Sequence, residues 1–347
     1  MTTTTPDDRL AQTSRLVQIM RRPELGAFMG ALVIYLLFVS VDRTGKFGGL
    51  IGAANWSDTA ANYGIVAVAV ALLMIAGEFD LSSGVMVGTA GLLGGLLITE
   101  WGVPVWPAIG IVLVFALFIG FVNGYLVVRT GLPSFIVTLA MFFSLRGINL
   151  GVTKALTGTV RVIGVDKGEG YASAKEVFAS SFWEPYDFRI TVVWWLALTV
   201  AATWVLTRTT FGNWIFAVGG DKNAARNTGV PVNRTKILLF MYTSFSAALY
   251  GIMSLMRLKS MQAGAGIGLE FTFIIAAVVG GCLLTGGFGS AIGASIGTSI
   301  IGMAFIGISF AGWNTDWNWL FLGVILFIAV MVNTAIGKRA QTAARKK

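Results

Sequence analysis

Apolar stretches close to the ~20 residues that a hydrocarbon core demands recur about ten times along this chain, which constrains its fold more than any other feature. They run through Gly26–Val41, Ala60–Ala76, Leu81–Thr99, Trp106–Val128, Pro133–Val152, Ile190–Leu206, Ile237–Met256, Phe271–Thr285, Ser290–Phe310 and Trp317–Ile336. With 56% hydrophobic and 12% charged residues and a mean hydropathy of +0.79, the chain has too little polar surface to coat a soluble globule. The expected fold class is an all-α polytopic membrane protein. The eighth stretch is short and ends in Gly280, Gly281, Gly286 and Gly287, the pattern of a broken helix, which only protein or a cavity can satisfy at membrane depth.

Loop charges set the expected orientation. Arg9, Arg15, Arg21, Arg22, Arg129, Arg208, Lys222, Arg226, Arg234, Lys236, Lys338, Arg339, Arg345, Lys346 and Lys347 share one side, which places both termini in the cytoplasm. Acidic residues such as Asp58, Asp166 and Glu270 then fall outside, and so do most tryptophans, including Trp194 and Trp195. The net charge of +9 is thus a topology signal that needs no nucleic-acid partner. The expected organisation is a cytoplasmic segment 1–25, a membrane domain 26–336 with a cytoplasmic loop 208–236 and an outer loop 153–189, and a basic cytoplasmic tail 337–347. Within the outer loop, Ser173–Trp183 reads either as a short interfacial helix presenting Val177, Phe178 and Phe182 or as an irregular loop.

The chain has no histidine and one cysteine, Cys282, which excludes a Ser-His-Asp triad, a Cys/His zinc site and a disulfide framework. No metal site or catalytic role is expected. Nor is there a glycine-rich loop ending in Gly-Lys-Ser/Thr. Any ATP and Mg involved must therefore be bound by another polypeptide, so no cofactor is expected in this chain.

Several polar groups and glycine series remain. Gly84, Gly88, Gly91 and Gly95 lie on one helical face, as tight helix contact requires; Gly289, Gly293 and Gly297 repeat the device, as do Gly120 and Gly124. Glu78, Asp80 and Ser82, in AGEFDLSSG, read as a helix cap, as a gating element or as a proton relay. Arg146 lies mid-span and either snorkels, pairs or lines a pathway. Asn123, Asn149, Thr285 and Asn314 can bond hydroxyl groups but select no particular solute.

Between the sixth and seventh spans lies a polar segment, Thr209–Lys236. Gly219-Gly220 breaks the preceding structure, Asp221 can cap, and Lys222 to Thr228 holds about two helical turns before Gly229 and Pro231 stop them. A short helix across the cytoplasmic face is expected.

Four motifs, in order, resemble one family. GEFDLSSG (Gly77–Gly84), LPSFIVTLAMFFSLRG (Leu132–Gly147), TTFGNWIFAVGGDKNAARNTGV (Thr209–Val230) and AAVVGGCLLTGGFGS (Ala276–Ser290) are similar to signatures of permease subunits of bacterial ABC importers for simple sugars, of the ribose, xylose, arabinose and galactoside type. The resemblance spans about Tyr63 to Asn333. It implies a ten-span permease of the vitamin B12-importer type in the inner membrane. It further implies a second, identical permease copy, an ABC ATPase subunit and an extracytoplasmic sugar-binding protein as partners. By the same resemblance, Asp221, Lys222, Ala224, Ala225, Arg226, Thr228 and Gly229 form the coupling helix received by the ATPase. Arg146, Asn149, Thr272 and Thr285 are then candidates for the pathway. Thr272 stands where relatives often have Asp, and Cys282 where Thr is common. A branched-chain amino acid permease of the same superfamily, a proton-coupled carrier using Glu78, Asp80 and Arg146, and a membrane-embedded enzyme are the alternatives.

Overall fold

The structure is a computed structural model that describes residues 23–345, with side chains for 24–331. Arg9, Arg15, Arg21, Arg22, Lys346 and Lys347, and the side chains of Lys338, Arg339 and Arg345, lie outside the described residues.

Thirteen α-helices form the described chain. The first five are α1 (Pro23–Val41), α2 (Leu50–Ile75), α3 (Ser83–Thr99), α4 (Val105–Thr130) and α5 (Ser134–Thr157). After β1 (Arg161–Ile163) come α6 (Tyr171–Ala179), the hairpin β2 (Ser181–Phe182) and β3 (Phe188–Arg189), α7 (Ile190–Arg208), α8 (Thr210–Gly220), α9 (Lys222–Asn227) and α10 (Val232–Leu258). Then β4 (Ser260–Gln262) pairs antiparallel with β1, followed by α11 (Leu269–Val279), α12 (Ala291–Phe310) and α13 (Trp317–Arg345). Helices α1, α2, α4, α5, α7, α10 and α12 are long and apolar enough to cross a membrane; α3, α11 and Trp317–Met331 of α13 are shorter apolar helices.

Local sequence sets the boundaries. Pro104 and Pro133 precede α4 and α5, where a missing N–H costs no helix bond. Gly131 and Gly158 close those helices in the left-handed conformation that only glycine adopts freely. The centre of the bundle is α2: from Ile65 to Ile75 every residue is buried, as expected of a helix apolar on all sides. Around it pack α12, α10, α7 and α11, while α3 and α4 lie against α10.

Two ion pairs bracket this core. Lys236, in the second turn of α10, meets Glu78 just beyond α2, and Arg257 at the far end of α10 meets Asp58 of α2 at 2.7 Å. The 21-residue step from Lys236 to Arg257 spans about 32 Å of helix, close to a hydrocarbon thickness of ~30 Å.

The structure changes several expectations. Trp195 is buried, its indole against Gly64, because that glycine leaves a slot in α2 which the ring fills. The interfacial helix ends at Ala179, and Phe182 belongs to the hairpin; Phe178 is buried against Trp106 and Trp194, so the two rings share no face. Glu270 lies inside the bundle, only 3% exposed. Helix α13 runs through residue 337 to Arg345 without a break.

Candidate functional site

At the α9 end of the bundle the polar segment folds into two helices. Thr209 accepts a hydrogen bond from the Gly212 N–H and starts α8, which runs on to Gly220. Asp221 then caps α9, its Oδ1 accepting from the Asn223 N–H at 2.8 Å and the Ala224 N–H at 3.1 Å. Those two N–H groups hold the Asp221 carboxyl below its ordinary range. Ala225 is the buried residue of α9; Lys222, Ala224, Arg226, Thr228 and Gly229 are exposed. A tight turn joins α9 to α10, with the Val230 N–H donating to Ala225 O, the Gly229 N–H to Arg226 O and the Thr235 N–H to Pro231 O. The last turn of α9 and the first of α10 are therefore one stiff unit.

Beneath this unit three backbone segments meet with no side chain between them. A Cβ placed on Gly219 would run into the Ile75 carbonyl and stand 2.7 Å from the Gly287 nitrogen. One on Gly286 would stand 2.8 Å from the Gly77 Cα and 3.0 Å from the Gly219 oxygen. The Gly287 N–H donates to Ile75 O at 2.8 Å, binding the loop after α11 to the end of α2. Gly77, Gly286 and Gly287 adopt positive φ, so glycine is favoured there for conformation, and at Gly286 and Gly287 for space as well.

Residues 76–82 carry the chain back into the bundle before α3 begins. The Glu78 N–H donates to Leu73 O, the Phe79 N–H to Ser134 Oγ and the Leu81 N–H to Thr138 Oγ1, so this non-helical backbone is satisfied by protein. Asp80 is fully buried, and its Oδ1 accepts from the N–H and the hydroxyl of Ser82. It braces the turn: Ser82 is the residue at the start of α3, and no side chain caps that helix. Asn123 of α4 donates to Ser82 Oγ at 2.9 Å. Glu78, in contrast, reaches sideways to the Lys236 ammonium.

A second non-helical segment descends from the opposite end. After β4, Ala265 and Gly266 lie along α3, and α11 starts at Leu269 beside the first turn of α3. The glycine face of α3 is what admits it: Gly95 meets Val162, Gly91 meets Met261, Gly88 meets Ala265, and Gly84 meets Gly266 and Glu270. These four glycines cover about 16 Å of helix. Their partners are thus β1, β4, the turn after β4 and the first turn of α11 in place of one long facing helix, because the absence of Cβ atoms lets backbone and side chains lie in the groove. By contrast, Gly293 and Gly297 face α11 at Gly280 and Ala276, and Gly120 and Gly124 face α10. Gly289 precedes α12 and packs on Cys282 and Ile75, outside that helical series. The Glu270 carboxylate accepts from the Gly268 N–H at 3.0 Å, at the head of α11.

The four pathway candidates do not converge. Asn149 is buried and donates to Thr89 of α3, and Thr272 is buried in the first turn of α11. Thr285 is exposed in the loop at the α9 end. Arg146, halfway along α5, is exposed and makes no hydrogen bond or ion pair among the described residues. The pairing of Glu78 with Lys236, the bond from Asn123 to Ser82 and the glycine junction at Gly219 were not anticipated from sequence. Lys236 counted there only as a loop charge, although a lysine just inside an apolar helix calls for a partner.

A family model described as the branched-chain amino acid transport system permease component matches residues 52–330. The chain belongs to that family. It is a multi-pass inner-membrane protein, and the match takes in α9, both non-helical segments and the glycine junction. It is 33% identical over 322 residues to the probable ABC transporter permease protein YphD of Escherichia coli K12, covering 93% of this chain and 92% of the relative. Over 361 residues it is 28% identical to the E. coli K12 xylose transport system permease protein XylH, covering 90% and 92%. The fructose import permease protein FrcC of Rhizobium meliloti is 31% identical over 315 residues, covering 89% and 85%. No solved structure matches the chain.

Proposed function

We propose that this permease is the membrane-spanning subunit of an ATP-driven importer that passes a small neutral sugar or related polyol by alternating access. The observation that carries the proposal is α9: a capped, outward-facing helix fixed through one stiff turn to α10 and seated on a junction where α2, α8 and the loop after α11 touch backbone to backbone. A force applied to Lys222, Ala224, Arg226 or Thr228 has a short route into the membrane core. The segment faces the cytoplasm by its basic residues. A separate ATPase subunit, binding ATP and Mg, would receive it there, and an extracytoplasmic binding protein would deliver the solute at the other face.

The sugar class has two supports. Relatives carry xylose and fructose permease names. In addition, both helices that start inside the bundle have a carboxyl group of this chain at their heads, Asp80 before α3 and Glu270 in α11. Helix N-termini at membrane depth otherwise attract anions, so these carboxyl groups disfavour an anionic group at either helix head, which suits a neutral polyhydroxy solute.

A second copy of the chain completes the pathway in this proposal. An exposed guanidinium at mid-span costs several kcal/mol in lipid, about 3 on insertion scales, and water or protein between two copies would remove that cost at Arg146. With α3, α11 and α13 completing their crossings together with the non-helical segments, the proposed subunit has ten crossings and the vitamin B12-importer type of fold.

Vesicles that hold this chain with its ATPase and binding protein test the proposal. With ATP supplied they should take up labelled pentose or hexose, and uptake should continue after a protonophore. Arrest by the protonophore would indicate a proton-driven carrier, and uptake of leucine without any sugar would select the amino acid reading.

A further inference from the structure

Glu78 and Lys236 are each about one-tenth exposed, at 11% and 13% for their side chains. A surface ion pair that loses its partner is rescued by water, but a pair this buried is not, so the two charges hold each other strongly. Their positions give the contact a direction. Lys236 sits in the second turn of α10, directly after the stiff turn that joins α10 to α9. Glu78 lies in the 76–82 turn, whose remaining polar contacts among the described residues run to α2, α3, α4, α5 and its own residues but not to α10. Through Asp80 and Ser82 that turn ends at the head of α3, where Gly84 touches Glu270. Within this turn, Glu78 therefore provides the charged contact with the element that carries α9.

We infer that the Glu78–Lys236 ion pair is the link by which displacement of α9 reaches the 76–82 turn and the two helices that start inside the bundle, which makes Lys236 a positioning residue for transport. The inference rests on α9 being the surface that receives work from an ATPase. Moving α9 carries the first turns of α10 with it, and the ammonium draws the Glu78 carboxylate along because each charge is nearly nine-tenths buried and has the other as its ion-pair partner. The turn then shifts relative to Ser134 and Thr138, which remain on α5, and the head of α3 moves against Glu270.

The test uses the full assembly of this chain, ATPase and binding protein in vesicles, and reads sugar moved per ATP hydrolysed. A neutral pair, Glu78→Gln with Lys236→Met, leaves no unpaired buried charge, so the complex should purify and melt like the wild type. The inference expects its transport ratio to fall about tenfold or more while ATP hydrolysis continues, and Lys236→Arg to keep the ratio within about twofold of wild type. A neutral pair that transports at the wild-type ratio would overturn the inference, as would a ratio that falls only in step with loss of folded complex. If the wild-type assembly itself shows no ATP-linked uptake, the reading of α9 fails and the inference fails with it.

Discussion

Gly84 lies directly against the backbone of Glu270, so that α3 and α11 touch at their first turns: a Cβ at Gly84 would stand 2.7 Å from the Glu270 nitrogen and 2.7 Å from the Gly266 oxygen. Real carbon atoms do not approach backbone this closely, and backbone cannot rotate away as a side chain can. The contact joins the two helices that follow the non-helical segments 76–82 and 263–268, and it exists because residue 84 has no side chain.

Gly84→Val should consequently force the descending segment off α3. Overpacking a tight core costs about 1–3 kcal/mol, and a clash with backbone belongs at the upper end of that range. Gly147→Ala on the exposed face of α5, where an added Cβ meets nothing within 4 Å, is the control and should be neutral. Thermal unfolding of the detergent-solubilised protein, followed by the loss of its monodisperse species, separates the two.

The glycine face of α3 also shows how far the sequence could be read. Spacing placed Gly84, Gly88, Gly91 and Gly95 on one side of a helix, because helical period alone decides that. What lies against them is a matter of tertiary structure. The partner segment contains Gln262 and Glu270 and three glycines, at positions 264, 266 and 268 before α11, which hydropathy alone assigns to a loop. Its burial depends on the groove that α3 supplies some 180 residues earlier, a contact invisible to any local window. The helix of Lys222–Asn227 was legible for the opposite reason: Asp221, Gly229 and Pro231 define it locally. Helix α8 was not, since Gly219-Gly220 reads as a break, whereas both glycines are the last residues of the helix and Gly219 meets the backbone of Ile75 and Gly287 there.

Gly219 and Gly220 make a second contrast. Gly219→Ala drives a methyl into the Ile75 carbonyl, whereas a Cβ on Gly220 has nothing within 4 Å. Gly219→Ala should lower folded yield or shift melting by about 1–3 kcal/mol equivalent, and Gly220→Ala should leave both within about 0.5 kcal/mol. Equal behaviour of the two variants would contradict the backbone junction beneath α9.

Acid should fray α9 first. Because the folded-state pKa of Asp221 is depressed from 3.8 by the Asn223 and Ala224 N–H groups, its capping contribution is present above 3.8 and is lost as pH falls through the lower folded value. Hydrogen exchange at the Asn223 and Ala224 amides should therefore accelerate, beyond the intrinsic pH effect, only below the ordinary carboxylate range. In Asp221→Ala the same amides should exchange fast at neutral pH, with that additional pH step abolished.

Transport in the proposed assembly depends on the exposed face of α9 receiving work from a separate ATPase. Ala225 faces inward, so a large residue there would unseat the helix, and the informative positions are Ala224 and Arg226. ATP-driven sugar uptake by vesicles carrying Ala224→Glu with Arg226→Glu, each complex first shown to be folded, is the direct measurement. Uptake should fall at least about tenfold and the ATPase should dissociate on purification. Undiminished uptake with the ATPase still bound would contradict the assignment of α9 as the receiving surface.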